Sequence, residues 1–185
     1  KLSRAPSVPY QTIEVPDAEY GDLLNQQGVT TIVTGWGLQE GAAMTADLRQ
    51  AEIQVLDREL CNSAMMEARA EEAASGFGYA VQTLGVGEDD AYAIWDQLVS
   101  RAPMPISENM ICSGTFEGGR TSCNGDSGGP LVVPVDGGGY IQAGIVSWGL
   151  TATSGQGCEE TALFSAYTNI SKFVPWLNKV IETNP

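Results

Sequence analysis

Six short runs decide what this chain can fold into. "VTTIVTGWG" (29–37) is rich in β-branched residues and ends at glycines, so it reads as a strand. In "DLRQAEIQVL" (47–56) apolar and polar residues roughly alternate, which predicts a strand with one buried face. "NMICSGT" (109–115), "PLVVPV" (130–135), "YIQAGIVSWG" (140–149) and "TALFSAYTNI" (161–170) are four more candidates bounded by turn residues. Short strands joined by glycine-rich turns predict an all-β fold, an antiparallel barrel or sandwich. The 185 residues suffice for one domain with a real core.

Two regions break the β pattern. "ELCNSAMMEARAEEAAS" and "EDDAYAIWDQLVSRA", within residues 59–102, are rich in Ala, Glu, Leu and Met at helical spacing. They predict a helical insertion over about residues 62–104. The chain end, "SKFVPWLNKVIETN", also predicts a helix, with Ser171 as N-cap and Pro175 near the first turn. Its apolar stripe would be Phe173, Val174, Leu177, Val180 and Ile181. The proline-bearing start, "KLSRAPSVPYQTIEVPDAEYGD", reads as an extended surface segment. Residues 1–28 are therefore expected to be a linker, and 29–185 the β unit.

The charge balance excludes some partners. Nine basic residues against 23 acidic ones give a net charge of −14. Nucleic acid and anionic membranes both reward Lys and Arg, so neither is expected as a partner. No apolar run is long enough to span a membrane. The four cysteines, Cys61, Cys112, Cys123 and Cys158, allow two disulfides in three pairings. The chain has no histidine and no C-x-x-C pair, so no structural zinc is expected, nor any other metal or cofactor. Two disulfides imply an oxidising compartment, and a secreted protein is the expectation.

One stretch carries chemistry. In "RTSCNGDSGGPLVV" (120–133) glycines flank Ser127 on both sides. Glycines admit backbone conformations closed to other residues. Successive N–H groups can then converge on one point and bind an anion. A serine in such a turn can offer its hydroxyl to a carbonyl carbon, while the neighbouring amides receive the oxyanion.

"CNGDSGGPLVV" closely resembles the nucleophile motif of the trypsin/chymotrypsin-like serine proteases. "VTGWG" (33–37), "NMICSGTFEGGRTSC" (109–123), "GIVSWG" (144–149) and "AYTNISKFVPWL" (166–177) resemble further segments of that family, in the family's order. The resemblance implies the chymotrypsin-like type of antiparallel barrel, and specifically the family's second barrel. The opening "KLSRAP" is similar to the family's segment just past the triad aspartate. The expectation is that the triad histidine and aspartate lie in an N-terminal half, either a separate chain left by cleavage or sequence preceding this one.

The resemblance also implies roles. Ser127 would be the nucleophile, with the amides of Gly125 and Ser127 as oxyanion hole. Asp126 would pair with the amino group freed by zymogen activation and so shape the oxyanion loop. Ser147 would support the triad aspartate. Thr121, Asn124, Trp148, Gly149 and Ser165 would line the substrate site. Cys123 would pair with Cys158, and Cys61 with Cys112, enclosing the insertion. Thr121 stands where trypsin-like members carry an aspartate, so a Lys or Arg side chain would be buried unpaired, at a cost. Ser165 stands where glycine is frequent and would narrow the pocket. Small or medium uncharged side chains are therefore expected. "GLTATSGQGC" (149–158), longer than the family's usual loop, would reshape the entrance. "NIS" (169–171) matches a glycosylation sequon and is expected to be a chance match. The implied function is a serine endopeptidase acting on protein or peptide through an acyl-enzyme. The alternative is a non-catalytic protein of the same fold that binds and does not cut.

Overall fold

Strand alternation becomes an inside and an outside. In the computed structural model, which describes residues 3–39, 43–115, 117, 119–151 and 162–184, six strands close into an antiparallel barrel. They are β1 (Thr30–Gly35), β4 (Arg49–Val55), β5 (Met110–Gly114), β6 (Pro130–Pro134), β7 (Tyr140–Thr151) and β8 (Ala162–Asn169). The order around the barrel is β1-β4-β5-β8-β7-β6, and β2 (Leu38–Gln39) pairs apart with β3 (Ala43–Met44). The six barrel strands lie in the six runs read as strands, β7 running two residues further, to Thr151. In β4 the period is plain: Ile53 and Val55 are buried while Glu52 and Gln54 are exposed.

Val33, Ile53, Val55, Ile111, Leu131 and Tyr167 form much of the barrel core. Each buried aliphatic side chain contributes about 1.5–3 kcal/mol. Inside, the hydroxyls of Thr31 and Ser113 lie 2.8 Å apart, and the same hydroxyls reach the carbonyls of Ile53 and Gln54. Buried polar groups without partners would be costly, and here they have partners.

The helical insertion comprises α2 (Arg58–Leu84) and α3 (Glu88–Arg101). Asp57 caps α2 by accepting from the Leu60 N–H, and Gly85 ends it in the left-handed region at φ 65°. Among the described residues, the fastenings to the barrel lie at the base of α2. Cys61 is bonded to Cys112 of β5, a disulfide closing a loop over 51 positions. Asn62 donates to the Ile106 carbonyl at 3.1 Å and accepts from the Ile106 N–H at 2.7 Å. Met65 packs with Cys61, Ile106 and Phe164 in a second apolar cluster.

Two corrections fall at the ends. The first segment is not extended throughout. After an extended run, α1 (Ala18–Leu24) forms, because the Asp17 side chain accepts from the Tyr20 N–H and Leu24 enters the core. At the other end, a 3-10 turn (Ile170–Phe173) leads into α4 (Val174–Thr183). Asn169 caps the 3-10 turn, and α4 follows Phe173 with no side-chain cap, so Ser171 is not the cap of the helix. The Asn169 side chain accepts from both the N–H and the hydroxyl of Ser171, whose own side chain is buried against Gly21. Asn169 is itself buried, so the sequon is closed to a glycan. The expected apolar stripe is only partly covered: Val174 and Leu177 are half-buried, while Phe173, Val180 and Ile181 are exposed.

Candidate active site

Ser127 sits in a turn between Cys123 and β6, and the turn is glycine-dependent. Gly125 has φ 102° and Gly128 has φ 81°, values that L side chains rarely adopt. The backbone N–H groups here divide into spent and open. Asp126 N–H bonds to the Cys123 carbonyl, Gly128 N–H to Val146, and Gly129 N–H to Asp126. The N–H groups of Gly125 and Ser127 meet no acceptor among the described residues. Ser127 is exposed. Two open amides and an exposed hydroxyl thus share one turn.

Asp126 is the keystone of that turn. Its carboxylate accepts from the Gly37 N–H at 2.8 Å and from the Cys123 N–H at 2.9 Å. A side chain at Gly35 or Gly37 would collide with that carboxylate. The Leu38 N–H also bonds to the Asn124 carbonyl at 2.8 Å, so the chain after β1 braces the turn twice. Beside Asp126 lies a cleft of about 250 Å³, lined in part by Gly35, Gly37, Arg49, Arg120 and Thr121.

The other side of the turn is fixed to β7. Gly128 N–H donates to the Val146 carbonyl at 3.0 Å, and Val146 N–H donates to Gly129 at 2.9 Å. Ser147 and Gly149, further along β7, are exposed, and Trp148 is partly covered by the second apolar cluster. Asn124 is exposed in the turn.

Thr121 and Ser165 meet. Their hydroxyls lie 2.5 Å apart, and the Ser122 hydroxyl donates to Ser165 at 2.8 Å. Tyr167 OH reaches Ser122 Oγ at 3.5 Å. Gly149 pairs with Ser165 across β7 and β8, and a methyl there would stand 3.2 Å from Ser165 Oγ. The cluster is neutral. Burial pushes the Tyr167 phenol up to about 12, against side-chain hydrogen bonding with Ser122 and Ser165 that lowers it, with Asp126 adding to the rise.

Of the cysteines, Cys123 is also disulfide-bonded, and Cys158, its expected partner, lies with residues 152–161 outside the described residues. Among the described residues no cluster of Cys, Asp or Glu is arranged to hold a metal ion, and no helix is long and apolar enough to cross a membrane.

Sequence reasoning did not single out Gly37, Ser122 or Tyr167. Gly37 closes the "GWG" that ends the first strand, and a glycine kept there signals a close approach. Ser122 and Tyr167 carry no local signal, since only folding brings residues 45 positions apart together.

A family model described as Trypsin matches residues 1–177. The chain is 31% identical over 151 residues to the serine proteinase stubble of Drosophila melanogaster, covering 81% of this chain and 14% of that one. It is 31% identical over 151 residues to trypsin eta of Drosophila erecta, covering 81% of this chain and 40% of the relative. It is 45% identical over 82 residues to the anionic trypsin of Canis lupus familiaris, covering 44% and 29%. The chain thus spans less than half the length of each of these relatives.

Proposed function

The chain belongs to the trypsin family of serine proteases, and on that premise we propose that it carries the nucleophile half of a serine endopeptidase. Ser127 attacks the scissile carbonyl carbon and forms the acyl-enzyme. The open N–H groups of Gly125 and Ser127 receive the developing oxyanion. The observation that carries this reading is that division of the turn's amides into spent and open, in the turn that exposes the Ser127 hydroxyl.

The base comes from elsewhere. With no histidine among the 185 residues, the imidazole that deprotonates Ser127 belongs to another polypeptide segment. The same segment supplies the orienting aspartate, which Ser147 supports. An amino group freed by proteolysis enters the cleft beside Asp126 and neutralises its carboxylate. The substrate side chain lies against Thr121, Asn124, Trp148, Gly149 and Ser165. The Thr121–Ser165 contact shortens the pocket and gives no charge to a Lys or Arg, so cleavage follows small or medium uncharged residues. The protein works in an oxidising, extracellular medium, consistent with its disulfide-bonded cysteines.

The test is complementation. The chain is mixed with a first-barrel polypeptide bearing histidine, aspartate and a free aliphatic amino terminus. The complex is then exposed to a fluorophosphonate and mapped by peptide mass. The reading requires label on Ser127. Assembly without label makes the chain a binding module, the reading that the missing histidine favours.

A further inference from the structure

We propose that the α2–α3 hairpin is a docking groove for an amphipathic helix with a basic polar face, carried by a partner protein. Among the described residues, the hairpin is fastened at its base. Past Met65, no described side chain of α2 or α3 is buried. Yet the hairpin is not polar throughout. Met66, Ala70, Ala73, Phe77 and Val81 recur at helical spacing along one face of α2. Facing them on α3 stand Tyr92, Trp95, Leu98 and Val99.

Phe77 and Trp95 meet with ring centroids 5.2 Å apart. On either side of this pair along the seam lies an apolar hollow, one of about 460 Å³ toward Met66 and Val99, one of about 420 Å³ toward Val81 and Val86. Together they make one trough bridged by two rings. Leu98 is 53% exposed, Val99 49% and Tyr92 67%, so the trough wall faces outward. From Met66 to Val81 the trough runs roughly 22 Å, about four helical turns. A third helix laid along two antiparallel ones fills such a trough with its own apolar stripe.

Charge selects the occupant. Glu67, Glu72, Glu88, Asp89, Asp90 and Asp96 stand on the two helices, with Glu59 and Glu71. Against these eight acids there are three basic residues, Arg58, Arg69 and Arg101. A second copy would set acid against acid, in a chain already at −14. An anionic lipid surface is repelled in the same way. Glu67 and Glu88 line the hollows, with Arg69, so a helix with leucines on one face and lysines on the other matches both the apolar floor and the acidic excess of the hairpin.

Fluorescence anisotropy tests this with three labelled helical peptides of 14 residues on the 185-residue chain. One has leucines on one face and lysines elsewhere. The second has glutamates in place of the lysines. The third has alanines in place of the leucines. The Leu/Lys peptide is expected to bind at least tenfold more tightly than either control. Leu98→Glu with Val99→Glu should weaken it at least tenfold, although the change adds two attractive charges. Both residues are exposed, so the helix survives, and circular dichroism checks this. Glu67→Lys with Glu88→Lys should weaken it several-fold with the trough intact. Equal binding of the Leu/Lys and Ala/Lys peptides, or undiminished binding by the double-glutamate variant, overturns the proposal. So does sedimentation of the free chain as a dimer that Leu98→Glu with Val99→Glu dissolves, since the trough then serves a second copy.

Discussion

The carboxylate of Asp126 accepts a hydrogen bond from the backbone N–H of Gly37 at 2.8 Å, joining the nucleophile turn to the end of β1 across 89 positions of chain. Its other oxygen takes the Cys123 N–H at 2.9 Å. Asp126→Ala removes both acceptors and leaves partly buried amides unpaired, a loss of about 1–3 kcal/mol. Gly37→Ala puts a methyl into the carboxylate and should disturb the same turn. The expected result for each is a lowered Tm in calorimetry and, in the complemented protein, loss of most activity through a misplaced oxyanion site. A pH–rate profile that keeps its shape while falling in height distinguishes this from lost proton transfer.

Tyr167 sets an alkaline limit. Its phenol ionises near 10 in the unfolded chain and near 12 when folded. A raised folded value means the stability from keeping the phenol neutral is complete below about pH 10 and is lost as pH climbs toward 12. The shift corresponds to roughly 2–3 kcal/mol. Denaturant titrations at pH 9 and pH 11.5 should show that loss in the native chain. In Tyr167→Phe the portion of it due to this residue should vanish.

The base of the hairpin should matter more than its tip. Asn62→Ala leaves the Ile106 N–H and carbonyl without their partner, at about 1–3 kcal/mol. Breaking the Cys61–Cys112 bond frees a loop of 51 positions, a loss of roughly 4 kcal/mol in the chain-entropy picture. Hydrogen exchange should then quicken over residues 58–106 before it quickens in the barrel strands. Uniform quickening would mean that hairpin and barrel unfold as one.

Ser165→Gly should deepen the pocket by removing the hydroxyl that meets Thr121. In the complemented protein, kcat/KM for peptides with a large neutral residue before the cut should rise relative to alanine. An unchanged ratio would show that the pocket floor lies elsewhere.

The barrel was legible because each strand carries its own evidence: β-branched residues, period-two burial in β4, glycines at the ends. Ile53 and Val55 face inward for the reason their neighbours Glu52 and Gln54 face outward. The hairpin was legible from its Ala and Glu content. The seven-residue α1 was not, since prolines before it dominate the pattern and its cap, Asp17, is one aspartate among many. Ser171 looked like the cap of the last helix because cap propensity is local, but a 3-10 turn capped by Asn169 precedes that helix, and Ser171 lies inside the turn with its side chain packed where Gly21 leaves room. The turn around Ser127 was readable as a motif, but its bracing by Gly37 and Val146 is long-range and emerges only when β1 and β7 close around it.

The most direct measurement is peptide hydrolysis by the complemented protein, with Ser127 intact and with Ser127→Ala. Each barrel half alone should give almost no turnover, because this chain holds no histidine to act as base. Together they should cleave after small or medium uncharged residues, and Ser127→Ala should lower kcat roughly 10⁴-fold or more while leaving assembly unchanged. Turnover by this chain alone, or cleavage that survives Ser127→Ala in the assembled protein, would contradict the account.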